Sequence, residues 1–505
     1  MQLNGFIKAV APAWAPTLCV GLLGGILSGC ALNEKMIKPE VALPPAFEAR
    51  QGESGVSPAA LDRWWLLFND AQLTALVEQA LTVSPDARSA FYRLAEARAD
   101  RNEVIAGVLP QGDVKASAND QYAKQSFDHV NAAAFGVPAG SAAGTSLVSS
   151  FFTASNGSSQ NYAASFPISW EIDLYGKDIT AIKAANANFA AARFDYEATR
   201  MSLAAEVATD LFQARGLAVQ LDDARENERL AKNLADVARR KAEAGLATTA
   251  DAARTESDAE SNAAQSVQIE AQLRGAQRAL LVLIGKGGAP SSDLPITADV
   301  TPPPAAPATT PGSLLARRPD VREAQEKLLV AAGQLKIDKI ALFPTFTLAP
   351  GLSYSKQVES IYTITTQAAT GGLGVTVPIL SIPKLLAEVR AQGARGDQAV
   401  VAYEKSVQSA YGDAERALTA IEADGRRVKL LDNATKRSRF AFDAANKGYD
   451  LGLTDLTSLI QAEQTWRQTR ATYTASEISA LVDTVATFKA LGGGWNAEAA
   501  QGKNR

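Results

Sequence analysis

The side chains best suited to chemistry are scarce here. Among 505 residues there is one histidine, His129, and there are two cysteines, Cys19 and Cys30. A single histidine cannot supply an HExxH zinc motif, and His129 stands in an Ala-, Gly- and Ser-rich stretch, roughly residues 125–160, where no catalytic triad is expected. The cysteines are far from CxxC spacing, so neither a metal cluster nor a disulfide framework is expected. Gly285-Lys286-Gly287-Gly288 is the nearest approach to a phosphate loop, but it lacks the GxxxxGK[ST] spacing and follows a helical pattern instead of a strand. It reads as the loop that ends a hairpin. With 50 Lys and Arg against 54 Asp and Glu, the formal charge of −4 offers no basic field for nucleic acid. No catalytic residue, metal or nucleic-acid partner is expected.

Cys30 has a different prospect. Lys8 is the only charge before Glu34, and Thr17 to Leu27 is apolar yet too short and Gly-rich for a stable spanning helix. The stretch reads as a secretory signal over residues 1–29. Its end, Leu27-Ser28-Gly29-Cys30, resembles the lipobox of bacterial lipoproteins, which implies cleavage before Cys30 and attachment of S-diacylglycerol and an N-acyl chain there. No other cofactor is expected. Ala31 follows, where aspartate would favour retention at the inner membrane of a Gram-negative cell, so sorting rules imply the outer membrane.

The elements that follow occur twice. Pro85, Asp86, Arg88, Ala90, Leu94, Ala97 and Pro110 recur 234 residues later as Pro319, Asp320, Arg322, Ala324, Leu328, Ala331 and Pro344. Lys177, Tyr196, Glu197, Leu211, Gly245, Leu246, Glu256 and Gly285 recur 207 residues later as Lys384, Tyr403, Glu404, Leu418, Gly452, Leu453, Glu463 and Gly492. Ala-rich helices match by chance, whereas Gly, Pro and Tyr punctuate a chain and do not, so two internal repeats are read. They cover residues 61–290 and 314–493, after an N-terminal linker at 30–60, with a Pro-rich linker at 291–313 between them and a tail at 494–505.

Within each repeat the period changes. Helical spacing runs from Pro85 to about Leu109 and from Pro319 to about Phe343, opened by Pro at the first helical position and an acid in the first turn. The pattern then becomes period two: Phe346, Leu348, Pro350, Leu352 and Tyr354 alternate with small or polar residues, as do Tyr162, Ala164, Phe166, Ile168, Trp170 and Ile172. Two β-hairpins are expected, over 111–173 and 345–380. Their alternation suits the edge of a soluble sandwich or the wall of a water-filled membrane barrel. Proline-free runs from Lys177 to Gly245 and from Lys384 to Gly452 read as helices of about 69 residues, on the order of 100 Å long. From Gly245 and Gly452 a second helix of about 35 residues returns to Gly285 and to Gly492, giving helical hairpins over 177–285 and 384–491. The fold class is mainly α with a small β part. Four strands cannot close a lipid-facing barrel, for which roughly eight is the minimum, so a membrane location requires several chains.

Leu315-Ala316-Arg317-Arg318-Pro319-Asp320-Val321-Arg322 with Phe343-Pro344, the run Trp170-Glu171-Ile172-Asp173-Leu174-Tyr175-Gly176, and the repeated Gly-Leu tips resemble the outer membrane factor family of bacterial efflux systems. In particular they resemble its acylated subgroup, which serves RND-type multidrug pumps. The resemblance implies a homotrimer: a twelve-stranded barrel in the outer membrane, continued by an α-helical tunnel of twelve helices through the periplasm. It also implies a passive export duct, not an enzyme, opened by a periplasmic adaptor and supplied by an inner-membrane pump. A periplasm-spanning structural lipoprotein and the duct of a type I secretion system are the alternatives. Arg-Arg-Pro-Asp is read as a helix start, with Asp320 facing the positive end of the helix dipole.

A tube built from long helices closes where their far ends draw together, here 245–251 and 452–458. Relatives narrow that mouth with a tyrosine before the second tip glycine and a ring of acids. Tyr449 matches the tyrosine, whereas Ser458 and Gln461 stand where some relatives carry aspartate. Each tip keeps one carboxylate, Asp251 and Asp455, which serves as a gate residue, as a cap of the returning helix, or as both.

Overall fold

The structure, a computed structural model, describes residues 38–49, 58–123, 157–305, 309–359 and 362–495. Cys30, the signal segment and His129 lie outside the described residues. Packing divides the chain into two units, one built from Gly107–Ala181 and Ala332–Asp397, the other from Lys38–Ala106, Ile182–Ala331 and Gln398–Arg505.

The first unit is an antiparallel sheet. Short β1 (Gln111–Gly112) and β2 (Lys115–Ala123) pair in turn with β3 (Gly157–Glu171), and β3 pairs with β4 (Thr345–Val358), which pairs with β5 (Thr363–Thr376). The register sets Phe166 against Leu352, Trp170 against Leu348 and Leu348 against Leu373, so the alternation read from the sequence yields one continuous apolar face. Asn161, Ala163 and Ser165 pair with Gln357, Ser355 and Ser353 on the other face. Tyr354 and Phe346 end the apolar band; eight residues at ~3.4 Å each put about 27 Å between them, close to the height of a lipid-facing band. Trp170, Leu352 and Leu373 are exposed, and every residue of β5 is exposed.

The Trp-Glu-Ile-Asp-Leu-Tyr-Gly run turns the chain from β3 into a helix. Asp173 accepts the backbone N–H groups of Lys177, Asp178 and Ile179 at 2.8, 3.0 and 3.5 Å. Burial works against the charged form, yet these donors hold the Asp173 carboxylate below its usual range. Gly176 takes the left-handed φ of +75° that the turn needs, Glu171 pairs with Lys177 at 3.0 Å, and Tyr175 stacks on Phe343 with centroids 5.0 Å apart.

The helical elements are α1 (Ala71–Val83), α2 (Pro85–Gly107), α3 (Lys177–Glu243), α4 (Thr249–Leu283), α5 (Pro311–Arg317), α6 (Pro319–Ile340), α7 (Ile382–Asp450) and α8 (Leu456–Ala490). α7 begins two residues before the Lys384 suggested by the repeat, because Ser381 accepts the Leu385 N–H at 2.9 Å through its carbonyl and starts the helix ahead of Pro383. Likewise β3 starts at Gly157, inside the stretch read as loop to residue 160.

Arg318 of the Arg-Arg-Pro-Asp motif does more than precede a helix. Its buried guanidinium pairs with Asp320 at 2.6 Å and Asp413 of α7 at 3.2 Å, and donates to the Ala490 carbonyl at the end of α8 at 3.4 Å. One side chain thereby joins three helices.

The core of the helical unit centres on Trp64, from a 3-10 segment at Pro58–Phe68, stacked on Phe488 at 5.5 Å, with Phe68 on Phe212 at 5.1 Å. The chain after α8 seals it: Gly494 N–H donates to the Leu61 carbonyl at 2.7 Å and Trp495 Nε1 to the Arg317 carbonyl at 2.8 Å. A methyl group on Gly493 would meet the Phe488 and Leu61 carbonyls at 2.8 and 3.0 Å, and both are backbone that cannot step aside. Gly493→Ala is therefore expected to destabilise this unit by about 1–3 kcal/mol, measured as a lower denaturant midpoint of tryptophan fluorescence. An unchanged midpoint would mean that the seal yields freely.

Candidate functional site

Both long helices stop in the same way. Gly245 and Gly452 adopt φ of +73° and +75°. Leu246 N–H reaches back to the Lys241 carbonyl at 2.8 Å and Gly245 N–H to Ala242 at 3.0 Å; Leu453 and Gly452 do the same to Gly448 and Tyr449 at 2.7 and 3.1 Å. This six-to-one, five-to-two pattern satisfies carbonyls that the helix end leaves open, and it turns the chain back towards the second helix. At each tip the leucine after the glycine is 80% exposed.

The returning helices are capped by a hydroxyl and a carboxylate whose roles are exchanged between the repeats. At α4, Thr248 is the N-cap: its Oγ1 accepts from Asp251 N–H at 3.1 Å and donates to the Asp251 carboxylate at 2.7 Å. At α8, Asp455 is the N-cap, accepting from Ser458 N–H at 2.7 Å and from the Ser458 hydroxyl at 3.1 Å. The Ser458 N–H and hydroxyl hold the Asp455 carboxylate below its usual range. The reading of both acids as caps thus needs one correction: Asp455 is a cap residue, while Asp251 sits in the first turn and supports Thr248.

The tips of the two hairpins are tied to each other. Lys241 Nζ donates to the Tyr449 hydroxyl at 3.2 Å and lies 4.3 Å from its ring centroid. Tyr449 packs on Phe442, Leu459 and Trp466. Arg254 of α4 reaches Thr457 of α8 at 3.5 Å. Lys241, Gly245, Leu246, Asp251, Tyr449 and Leu456 face one cleft of ≈ 550 Å³. Farther along, Arg470 Nε donates to Asp223 at 2.7 Å across the hairpins, and Trp466 stacks on Phe442 at 5.2 Å, with the Arg439 guanidinium 4.5 Å from its ring.

Sequence reasoning singled out Tyr449 and missed Lys241. No motif marks that lysine: in the second repeat its place is taken by Gly448, where a Cβ would strike Thr454. The tie between the repeats is asymmetric and could not be found by comparing them.

At the tips the ends of the two helical hairpins are apposed through side-chain contacts. An exposed apolar sheet face together with paired helical hairpins of this length suits a membrane channel. The family model described as outer membrane efflux protein matches residues 76–286 and 310–493, and the chain belongs to that family. Its closely matching relatives include the pyoverdine export outer membrane protein OpmQ of Pseudomonas putida, 28% identical over 469 residues that cover 90% of this chain and 93% of that one. The probable outer membrane lipoprotein SilC of Salmonella typhimurium is 25% identical, over 93% of this chain and 97% of SilC. Among solved structures, the Campylobacter jejuni CmeC outer membrane channel superposes with a TM-score of 0.74 at 20% identity, covering 93% of this chain and 97% of CmeC. The protein is an outer membrane channel component of an efflux system.

Proposed function

We propose that three copies form a passive export duct, each contributing the four long strands β2 to β5 of its sheet to a twelve-stranded barrel, with a periplasmic adaptor opening the helix tips and an inner-membrane RND-type pump supplying the cargo. The observation that carries assembly from several copies is that, among the described residues, the outer strands β2 and the fully exposed β5 have no further strand paired to them, beside an exposed apolar face; the family resemblance favours three. An open edge cannot remain in hydrocarbon, so the edges require other copies of the sheet. Among the described residues no helix is long and apolar enough to cross a membrane.

The adaptor is proposed from the tips. Leu246 and Leu453 expose apolar side chains on turns held by backbone hydrogen bonds to the helix end, a surface suited to a partner's own apolar hairpin end. The gate is proposed from the tie beside them, in which Lys241 and Tyr449 hold the two hairpin tips together in a closed state. Relatives named for pyoverdine export, toluene efflux and cation efflux match 90%, 93% and 96% of this chain, which supports a duct whose cargo is chosen elsewhere in the system. Cys30 is proposed to carry acyl chains that tether each copy to the outer membrane. A single chain anchors only marginally, so acylation assists delivery while the barrel supplies the lasting hold.

Native mass measurement in detergent tests assembly and acylation together. The expected species is a trimer of chains beginning at Cys30, each heavier by a diacylglycerol and an acyl group. A monomer or dimer as the sole species would refute the trimer, and an unmodified N-terminus at another residue would refute the anchor.

A further inference from the structure

The seams of the two helical hairpins are filled differently at one level. Residues 207 positions before Phe442 and Trp466 are Ala235 and Ala259, which with Ala231 form a small buried cluster between α3 and α4. At the matching place α7 and α8 meet through Phe442 and Trp466, both buried, their rings stacked 4° from parallel. Alanine lets two helices approach closely, whereas a stacked aromatic pair holds them apart and fixes their spacing. Leu234 of α3 packs against the pair, so the stack also bears on the first hairpin.

Beside this stack, two arginines about one turn apart on α8 reach different helices of the first hairpin. Arg467 turns to α4: its Nη1 donates to the Asn262 side-chain oxygen and its Nη2 lies 3.7 Å from the Asp258 carboxylate. Arg470 turns to α3, with Nε 2.7 Å and Nη2 2.5 Å from the two carboxylate oxygens of Asp223, a two-pronged pairing that fixes orientation as well as distance. Arg467 Nε is also 3.8 Å from Glu463, which is 3% exposed, so withdrawing the arginine strands a buried carboxylate. The first repeat has Glu260 and Ala263 at the places of Arg467 and Arg470, and no fork of this kind can form from it. Arg467 stands about 18 Å along α8 from the Asp455 cap, at ~1.5 Å per residue, well behind the Lys241–Tyr449 tie.

We propose that Arg467 and Arg470 form a latch that fastens α8 to both helices of the first hairpin, a second closure separate from the tie at the tips. The Phe442–Trp466 stack is its base: it keeps α7 and α8 together as one body, so the latch holds the second hairpin as a whole while the tip tie holds only its last turns. The latch deepens the closed state proposed for the tips and rests on that reading. Release of the tie alone frees the helix ends, and full opening requires the latch to yield as well.

The latch can be read without any current, as a distance between the hairpins in the purified full-length protein. Val267 of α4 and Leu430 of α7 are both exposed and lie outside the network, so Val267→Cys with Leu430→Cys carries a pair of spin labels for pulsed electron paramagnetic resonance. Arg467→Ala with Arg470→Ala should lengthen that distance by about 2 Å, whereas Lys241→Ala with Tyr449→Ala should leave it unchanged. Arg470→Asp alone sets acid against Asp223 and should lengthen it too, and adding Asp223→Arg should restore it, a rescue that lost packing would not give. An unchanged distance in the arginine double variant would overturn the latch, as would a reversed pair that fails to restore it. Equal lengthening in the tip variant would mean one closure instead of two. Bilayer currents judge the tips separately: a tip variant that conducts like the wild type would refute the gate, while the distances still decide the latch.

Discussion

Asp70→Ala is expected to destabilise the helical unit by about 3–5 kcal/mol, the largest effect of any single change considered for its interior. Asp70 has two functions at once. It is the N-cap of α1, accepting Leu73 N–H at 2.9 Å, and it is the ion-pair partner of Arg215 on α3, whose guanidinium also donates to Gln72 at 3.0 Å. Arg215 is 7% exposed, so losing the carboxylate leaves a buried cation with only an amide oxygen for company. Burial raises the Asp70 carboxyl, but the hydrogen bond from Arg215, the Leu73 N–H and the Arg215 charge outweigh it and hold the group below its ordinary 3.8. Its contribution is accordingly present above about pH 4 and is lost as pH falls through the lowered value. Asp70→Asn should keep the cap and lose the charge, giving a smaller deficit that no longer changes in acid. Denaturant titration of both variants checks this, and a loss below about 1 kcal/mol for Asp70→Ala would show that water reaches Arg215.

Much of this architecture was legible in the sequence for a physical reason. Long helices depend on local composition and on the absence of proline, and Gly245 and Gly452 announce the φ that ends them, so both hairpins could be read with their turns. The alternation in β3 and β4 was equally plain, because a sheet with one apolar face places every second residue on it. What escaped was long-range. Arg318 joining Asp413 and the Ala490 carbonyl, Arg215 meeting Asp70, and Lys241 meeting Tyr449 each couple residues about 95 to 208 positions apart, for which neither period nor spacing gives a signal.

Loss of the Lys241–Tyr449 tie is expected to have the largest effect on transport. A cation over an aromatic ring together with a hydrogen bond contributes about 1–3 kcal/mol per copy, so removing both partners should raise the open fraction roughly tenfold or more. Sequence reasoning set both Tyr449 and Asp455 at the tips as gate residues; the structure commits Asp455 to the Ser458 cap and gives Tyr449 to Lys241. Lys241→Ala with Tyr449→Ala should therefore open the tips while assembly stays normal. Tyr449→Phe, which keeps the ring beneath the ammonium and loses the hydroxyl, should fall between. Asp455→Ala should loosen the start of α8 with a smaller effect on opening. Sensitivity of cells to large antibiotics follows the same order if the tips set the size limit.

The current through purified trimers in a planar lipid bilayer tests the central claim most directly, that this chain lines a water-filled pore whose helix tips close it. The wild type is expected to give small, discrete steps, and the Lys241→Ala, Tyr449→Ala double variant larger, more frequent ones under the same voltage. Trimers of either form that insert and pass no current would contradict a pore, and equal currents from the two would place its constriction away from the tips.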